Sequence, residues 1–87
     1  MKNKVLVKLI VPELDVTFDV FVPVNEILWK IKKLMIKSIS DITGIMLDLN
    51  SEYVLLNKNN CNVYSNNDVL INTDIRNGTE LVLISKV

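Results

Sequence analysis

Hydrophobic side chains occupy every second position along two stretches in the first quarter of the chain. The period is two over residues 4–11 and again over residues 16–22, which predicts two β-strands. The aliphatic or aromatic sets of the two strands are Val5, Val7, Leu9, Val11 and Val16, Phe18, Val20, Val22. Because only Pro12–Asp15 separates the strands, they are expected to form an antiparallel hairpin.

The hydrophobic period changes after Asn25. Apolar residues then recur at steps of three and four across 26–43, which predicts one long amphipathic helix. Asn25 is a suitable N-cap and Gly44 a suitable C-terminal stop. The predicted apolar stripe consists of Ile27, Leu28, Ile31, Leu34, Met35, Ile39 and Ile42. A solvated basic face is expected from Lys30, Lys32, Lys33 and Lys37, with Trp29 packing at the edge of the core.

Three shorter strands are predicted in the second half, at 53–57, 61–64 and 79–85, the last preceded by an Asn77-Gly78 turn. Residues 45–52 are too apolar for a solvated loop and are expected to pack against the rest of the domain. The way in which they pack does not follow from their pattern.

A hairpin, one long helix and three further strands predict a single α+β domain over residues 1–87. One helix covers one face of one mixed sheet of about five strands, with the first and last strands as parallel neighbours. The expected core is Val5, Val7, Leu9, Phe18, Val20, Ile27, Ile31, Leu34, Leu81 and Leu83.

Charge and composition narrow the function classes. Ten basic and ten acidic residues give a formal net charge of zero, which argues against a general binder of nucleic acid or anionic membranes. No apolar stretch approaches the roughly 18 residues of a membrane span, so direct membrane insertion is not expected. The start of the chain does not have the pattern of an export signal either. We therefore expect a cytoplasmic protein.

Catalytic residue types are scarce. The chain has no histidine and a single cysteine, Cys61, so an intrachain disulfide is excluded. Cys61 is expected to be a half-buried strand residue rather than a nucleophile. The acidic residues are scattered without a metal-binding pattern. We therefore expect no catalytic residues, no metal and no cofactor, and predict that the protein is not an enzyme.

The two ends of the chain resemble a known group of proteins. Residues 68–84, with Leu70, Ile75, a turn and two leucines in the final strand, resemble the carboxy-terminal part of ubiquitin-like domains. Residues 5–25 resemble the YukD/EsaB-type ubiquitin-like proteins encoded with bacterial type VII (WXG100/ESAT-6-type) secretion systems. The resemblance implies a ubiquitin-like β-grasp fold. It also implies a cytoplasmic accessory of the secretion machinery that acts by protein contact.

Ubiquitin-type chemistry is not expected, because the sequence ends in Ser85-Lys86-Val87 rather than in a flexible Gly-Gly tail. Two other functions remain open. One is a ubiquitin-like adaptor in an unrelated complex, and the other is a nucleic-acid binder that uses the lysine face of the helix.

The side of the sheet away from the helix is the predicted protein-binding face. If the odd positions of the first strand face the helix, the even positions face outward and form a contiguous patch with their neighbours. The predicted patch is Leu6, Lys8, Ile10, Phe21, Val82 and Ile84. The resemblance implies that partners are recruited through this face. Residues 45–49 could instead cover part of it, or two copies could pair through it as a homodimer.

Overall fold

The computed structural model describes residues 3–48 and 51–86. Four strands form one mixed sheet in the order β2-β1-β4-β3, and one α-helix packs across it. Their bounds are Lys4–Val11 (β1), Val16–Pro23 (β2), Leu28–Thr43 (α1), Tyr53–Asn57 (β3) and Glu80–Ser85 (β4). The central strands β1 and β4 are parallel, which confirms the predicted pairing of the first and last strands.

The hairpin of β1 and β2 forms over the whole length of both strands, from Lys4 opposite Pro23 to Val11 opposite Val16. A short 3₁₀ helix, Pro12–Leu14, makes the turn, and Asp15 closes it with a φ of 52°. Aspartate tolerates this left-handed conformation better than most residues do. The register places the aliphatic sets of both strands on the same side of the sheet.

The helix begins two residues later than predicted, and Asn25 is not its N-cap. Ile27 occupies the cap position without a side-chain hydrogen bond. The free N–H groups of Leu28 and Trp29 instead donate to the main-chain carbonyls of Asp68 and Asn66, at 2.9 and 3.2 Å. The later loop therefore caps the first turn, a tertiary contact that the local sequence does not encode. At the other end, Gly44 stops the helix as predicted, with a φ of 73°.

The buried face of α1 is rotated from the predicted stripe. It consists of Leu28, Ile31, Lys32, Met35, Ile36 and Ile39. Leu34, which was predicted to be in the core, is 49% exposed, and Ile42 is also exposed. The sheet covers only one arc of the helix, and Ile36 rather than Leu34 lies on that arc. The prediction for Leu34 was therefore wrong.

The other expected core residues lie in or beside the core. Val7, Leu9, Ile31, Leu81 and Leu83 are buried. The partly buried side chains of Val5, Phe18 and Val20 pack against that cluster, whereas Ile27 is partly exposed at the helix cap. Buried residues outside the expected core include Leu55, Tyr64, Leu70 and Ile75, which close the core from the second half of the chain.

The predicted strand at 61–64 does not form, which leaves four strands in the sheet. Only Val63 pairs, in an isolated bridge with Leu56. The side-chain oxygens of Asn57 and Asn60 accept hydrogen bonds from the backbone two residues further on, at 2.8 and 2.9 Å. Such local bonds compete with a strand ladder. Cys61 is therefore exposed in a turn with a φ of 59°, and the expectation of a half-buried strand residue was wrong.

The apolar segment after the helix packs only in part. Leu47 contacts the core, and its N–H donates to Ser40 Oγ at 3.3 Å. Met46 is 93% exposed and Ile45 is also exposed, contrary to the expectation that these side chains would pack. Residues 49 and 50 of this segment lie outside the described residues. Within 3–48 and 51–86, no helix has the length and apolarity needed to cross a membrane.

Candidate docking face of the sheet

The alternation of β1 separates two faces of the sheet. Val7 and Leu9 are completely buried on the side that α1 covers. Leu6, Lys8 and Ile10 therefore project from the opposite side, which we call the outer face. The same alternation places Phe21 of β2, and Val82 and Ile84 of β4, on the outer face. The structure thus assigns all six predicted patch residues to one face.

A first apolar cluster lies where the hairpin begins and ends. Leu6 is directly opposite Phe21 in the antiparallel register. Side chains directly opposite each other have Cβ atoms about 4.5–5.5 Å apart, which is close enough for these two to make contact. Phe21 is 53% exposed, so much of its ring faces solvent.

A charged row crosses the middle of the outer face. Lys8 is in register with Asp19 on one side and with Glu80 on the other. Beyond Glu80, the ammonium of Lys58 lies 3.2 Å from its carboxylate. The signs alternate across the sheet, from Asp19 through Lys8 and Glu80 to Lys58. This row separates the Leu6–Phe21 pair from the remaining apolar residues of the face.

A second and larger apolar cluster lies on the other side of the charged row. Ile10 is in register with Val82, which is in turn opposite Leu56 of β3. Ile84, which is 37% exposed, is opposite Val54. We refer to these five residues as the upper cluster. The three predicted members come from β1 and β4, and β3 adds two more.

Val54 and Leu56 were missed by reasoning from the sequence. Their alternation with buried Leu55 was visible in the pattern. The side of the sheet on which they lie became defined only when β3 was placed next to β4 in the antiparallel register. The pattern of a strand identifies its two faces, but pairing with the neighbouring strand decides which of them lies away from the helix.

The segment after the helix contributes little cover to the outer face. Met46 is almost fully exposed and so contacts very little, and Leu47 packs against the core. Residue 49, the last of the predicted covering segment, is outside the described part of the chain.

Lys32 does not belong to the exposed basic face that was predicted for the helix. Lys32 is only 8% exposed, and its ammonium donates to the main-chain oxygen of Tyr53 at 2.9 Å and to Asn66 Oδ1. Lys30 and Lys33 remain exposed beside the ring of Trp29, each 5.4 Å from its centre. Trp29 is itself exposed, contrary to the expected core role.

No family model and no curated protein sequence matches this chain. Solved structures do. The ubiquitin-like domain of EccD5 from Mycobacterium xenopi aligns with a TM-score of 0.76 at 14% identity, over 97% of this chain and 96% of that one. A chain of the MycP5-free ESX-5 inner membrane complex aligns with a TM-score of 0.75 at 15% identity, over 98% of this chain. The alignment spans only 21% of that longer chain.

The fold also occurs in a different setting. A chain of the toluene 4-monooxygenase HD complex aligns with a TM-score of 0.72 at 5% identity, over 97% of this chain and 100% of that one. At such identities the likeness concerns the fold alone, since one fold can serve unrelated functions. A four-stranded mixed sheet with a single helix on one face, shared with these structures, is a ubiquitin-like β-grasp fold.

Proposed function

We propose that this protein is a non-enzymatic, ubiquitin-like interaction module of a type VII secretion system. It docks to the cytoplasmic side of the machinery through the outer face of its sheet and is not conjugated. The observation that carries the proposal is the likeness to the EccD5 ubiquitin-like domain, which extends over nearly the full length of both chains. The likeness by itself concerns the fold. The proposed role rests on that likeness together with the outer face of the sheet.

The outer face has the composition of a contact surface. The upper cluster groups five aliphatic side chains on three adjacent strands, and apolar surface of this kind favours association when it leaves water. The charged row beside it supplies alternating signs, which orient a partner and disfavour a wrong register. The upper cluster thus lies beside charged side chains, as the apolar core of a protein interface lies beside its polar rim.

The adaptor of an unrelated complex remains the second candidate. The likeness to a chain of the toluene 4-monooxygenase complex supports this candidate, because a monooxygenase complex is not a secretion machine. A docking face and the absence of catalysis are common to both candidates, so the identity of the partner distinguishes them.

The test is binding to a defined partner. The purified protein is titrated by calorimetry into the cytoplasmic region of the FtsK/SpoIIIE-type ATPase encoded by the same genome. We expect a saturable complex. The double variant Ile10→Asp/Ile84→Asp should weaken it at least about tenfold, or about 1.4 kcal/mol, because two charges enter the upper cluster. Ile71→Asp is the matched control, since Ile71 is exposed outside the sheet, in the 3₁₀ turn Leu70–Asn72.

The possible results of this binding experiment test the face assignment, the docking site and the partner separately. A double variant that unfolds, by circular dichroism, would show that the two isoleucines stabilise the core and that the outer face is misassigned. A folded double variant that binds normally would exclude the upper cluster as the docking site. An ATPase that does not bind at all argues for the adaptor. A concentration-dependent dimer that the double variant abolishes would identify a second copy as the occupant.

The absence of conjugation has its own test. Val87 lies outside the described residues, and no contact in the structure bears on this part of the proposal. Incubation with a ubiquitin-type activating enzyme and ATP should give neither an adenylate nor a thioester of the protein. Mass spectrometry that detects either species would refute the absence of conjugation.

A further inference from the structure

A groove of about 580 Å³ runs between α1 and β3, on the edge of the sheet. This volume is in the range of sites that bind small molecules or peptide side chains. Its principal lining residues are Trp29, Lys32, Lys33, Ile36, Tyr53 and Lys86. The groove does not include the six predicted patch residues of the outer face.

The groove opens on a strand edge that is only partly paired. β3 is the outermost strand of the sheet on this side. Its second half is bridged, because Leu55 O accepts from the N–H of Tyr64 at 3.0 Å and the N–H of Asn57 donates to Asn62 O at 2.9 Å. Its first half is contacted only by a side chain in the described structure, where Tyr53 O accepts from the Lys32 ammonium. In this half the main-chain groups of Val54 face β4 in the ladder, so only those of Tyr53 face the edge.

Lys32 is a buried cation without a described carboxylate partner. None of the ion pairs within 4 Å among residues 3–48 and 51–86 includes it. The structure gives its ammonium two acceptors, Tyr53 O and Asn66 Oδ1, whereas an ammonium carries three N–H donors. Burial lowers the pKa of Lys32 despite the opposing effect of the more distant Glu52 carboxylate, which reflects the cost of holding this charge away from water. An anion in the groove would offset that cost.

The lining of the groove is positively charged. Lys32, Lys33 and Lys86 outnumber its single acidic residue, Glu52, so its formal charge is +2 in a chain whose net charge is zero. Glu52 is paired with Lys86 at 3.5 Å, but both side chains are largely exposed. An exposed pair of this kind is weak and can exchange partners at little cost.

Trp29 provides the apolar wall of the groove. Its exposed ring lies beside the ammonium groups of Lys30 and Lys33, which restrict its position. Ile36 and Val54 add aliphatic surface to the same lining. The groove therefore combines aliphatic and aromatic walls with excess positive charge.

We propose that this groove binds an extended acidic segment of a partner protein, which places carboxylates against Lys32, Lys33 and Lys86 and apolar side chains against Trp29 and Ile36. The charge complementarity of the groove selects an acidic sequence. The groove shares Val54 with the upper cluster but contains none of the six predicted patch residues, and its test does not depend on the secretion proposal.

The experiment uses the sole tryptophan as the reporter, because Trp29 lines the groove. A short synthetic peptide that alternates valine and glutamate is titrated against the full-length protein while tryptophan fluorescence is recorded. We expect a saturable change that weakens as salt is raised. The same peptide with glutamine in place of glutamate should bind at least about tenfold more weakly, because the carboxylates are lost.

Variants locate the binding. Lys33→Glu/Lys86→Glu should weaken the acidic peptide at least about tenfold, since both lysines line the groove. Lys37→Glu is the matched control: it is exposed on the same helix, one turn further on, and does not line the groove. Circular dichroism checks the fold of each variant, and Lys86→Gln alone serves if the double variant unfolds. Ile10→Asp alone, which lies two strands away from β3, should leave peptide binding intact.

Several outcomes would overturn the inference. Equal binding of the glutamine peptide excludes recognition of carboxylates. An equal loss with Lys37→Glu indicates general electrostatic attraction rather than a groove. Absence of any fluorescence change, together with no heat of binding, excludes the site. Tighter binding of a single-stranded oligothymidylate, with the same dependence on Lys33 and Lys86, assigns the groove to nucleic acid instead.

Discussion

The hydroxyl of Tyr64 donates a hydrogen bond to the Asp74 carboxylate and accepts one from the side-chain amide of Asn57 at 3.2 Å. The other oxygen of Asp74 accepts from the Asn60 amide, also at 3.2 Å. Tyr64 and Asn57 are both buried, so this cluster is the polar link between the turn after β3 and the segment before β4. The cluster connects two irregular segments, neither of which forms a ladder of strand hydrogen bonds.

Replacing Tyr64 by phenylalanine should destabilise the fold. The substitution keeps the buried ring but leaves the amide of Asn57 without its acceptor, and we expect a loss of about 1–3 kcal/mol in the free energy of unfolding. Urea denaturation measures it. Tyr53→Phe is the matched control, because the Tyr53 hydroxyl makes none of the hydrogen bonds found among the described residues, and it should change stability by less than about 0.5 kcal/mol. Equal effects of both substitutions would contradict the role of the cluster.

The same cluster makes stability depend on pH at both extremes. Burial and the hydrogen bond to Asp74 raise the pKa of Tyr64 to about 12. Between pH 10 and about 12 the folded protein therefore keeps a proton that the unfolded chain releases, and stability falls as pH rises. The hydrogen bond from Tyr64 lowers the pKa of Asp74, so its contribution is present above the ordinary value of 3.8 and is lost as pH falls through the folded value.

The measurement is the difference in unfolding free energy between the wild type and Tyr64→Phe across pH. The difference removes the contributions of Lys32 and Tyr53, whose pKa values are also shifted. We expect it to be largest near neutral pH and to narrow above pH 10 and below 3.8. A difference that stays constant over the whole range would show that neither titration is linked to folding.

Neighbouring residues of α1 should respond very differently to truncation. Met35 is completely buried, and Met35→Ala should cost about 2–5 kcal/mol because a cavity forms in the core. Leu34→Ala removes a side chain that is half exposed and should cost less than about 1 kcal/mol. Thermal or urea unfolding of the two variants tests the rotation of the helix. Comparable losses in the two variants would restore the stripe expected from the sequence, which contains both residues.

Removing the charge of Lys32 should weaken the contact between the helix and the outermost strand. Lys32→Met keeps the aliphatic stem but leaves the carbonyl of Tyr53 and the side chain of Asn66 without their donor. We expect a loss of about 1–2 kcal/mol in unfolding free energy, against less than about 0.5 kcal/mol for Lys37→Met on the exposed side. Unchanged stability of Lys32→Met would mean that the cost of burying the ammonium cancels its two hydrogen bonds.

The sequence by itself determined the elements of this protein and most of their inward faces. The period-two runs at 4–11 and 16–22 predict β1 and β2, and Gly44 marks the end of the helix, because these features depend on neighbouring residues alone. The outward positions of β1, β2 and β4 followed from the same alternation. Cys61–Tyr64 resembled a strand by composition, but local asparagine hydrogen bonds and the single bridge at Val63 prevent one.

Only the tertiary structure decided the rotation of the helix, its start and the extent of the two candidate sites. Lys32 lies inside because the carbonyl of Tyr53 and the amide oxygen of Asn66 satisfy its ammonium, whereas Leu34 lies outside because the sheet covers a single arc of α1. The carbonyl of Asp68 caps the first turn from 40 residues away. Contacts between residues so far apart depend on which strands become neighbours, and a periodic pattern contains no information about that choice.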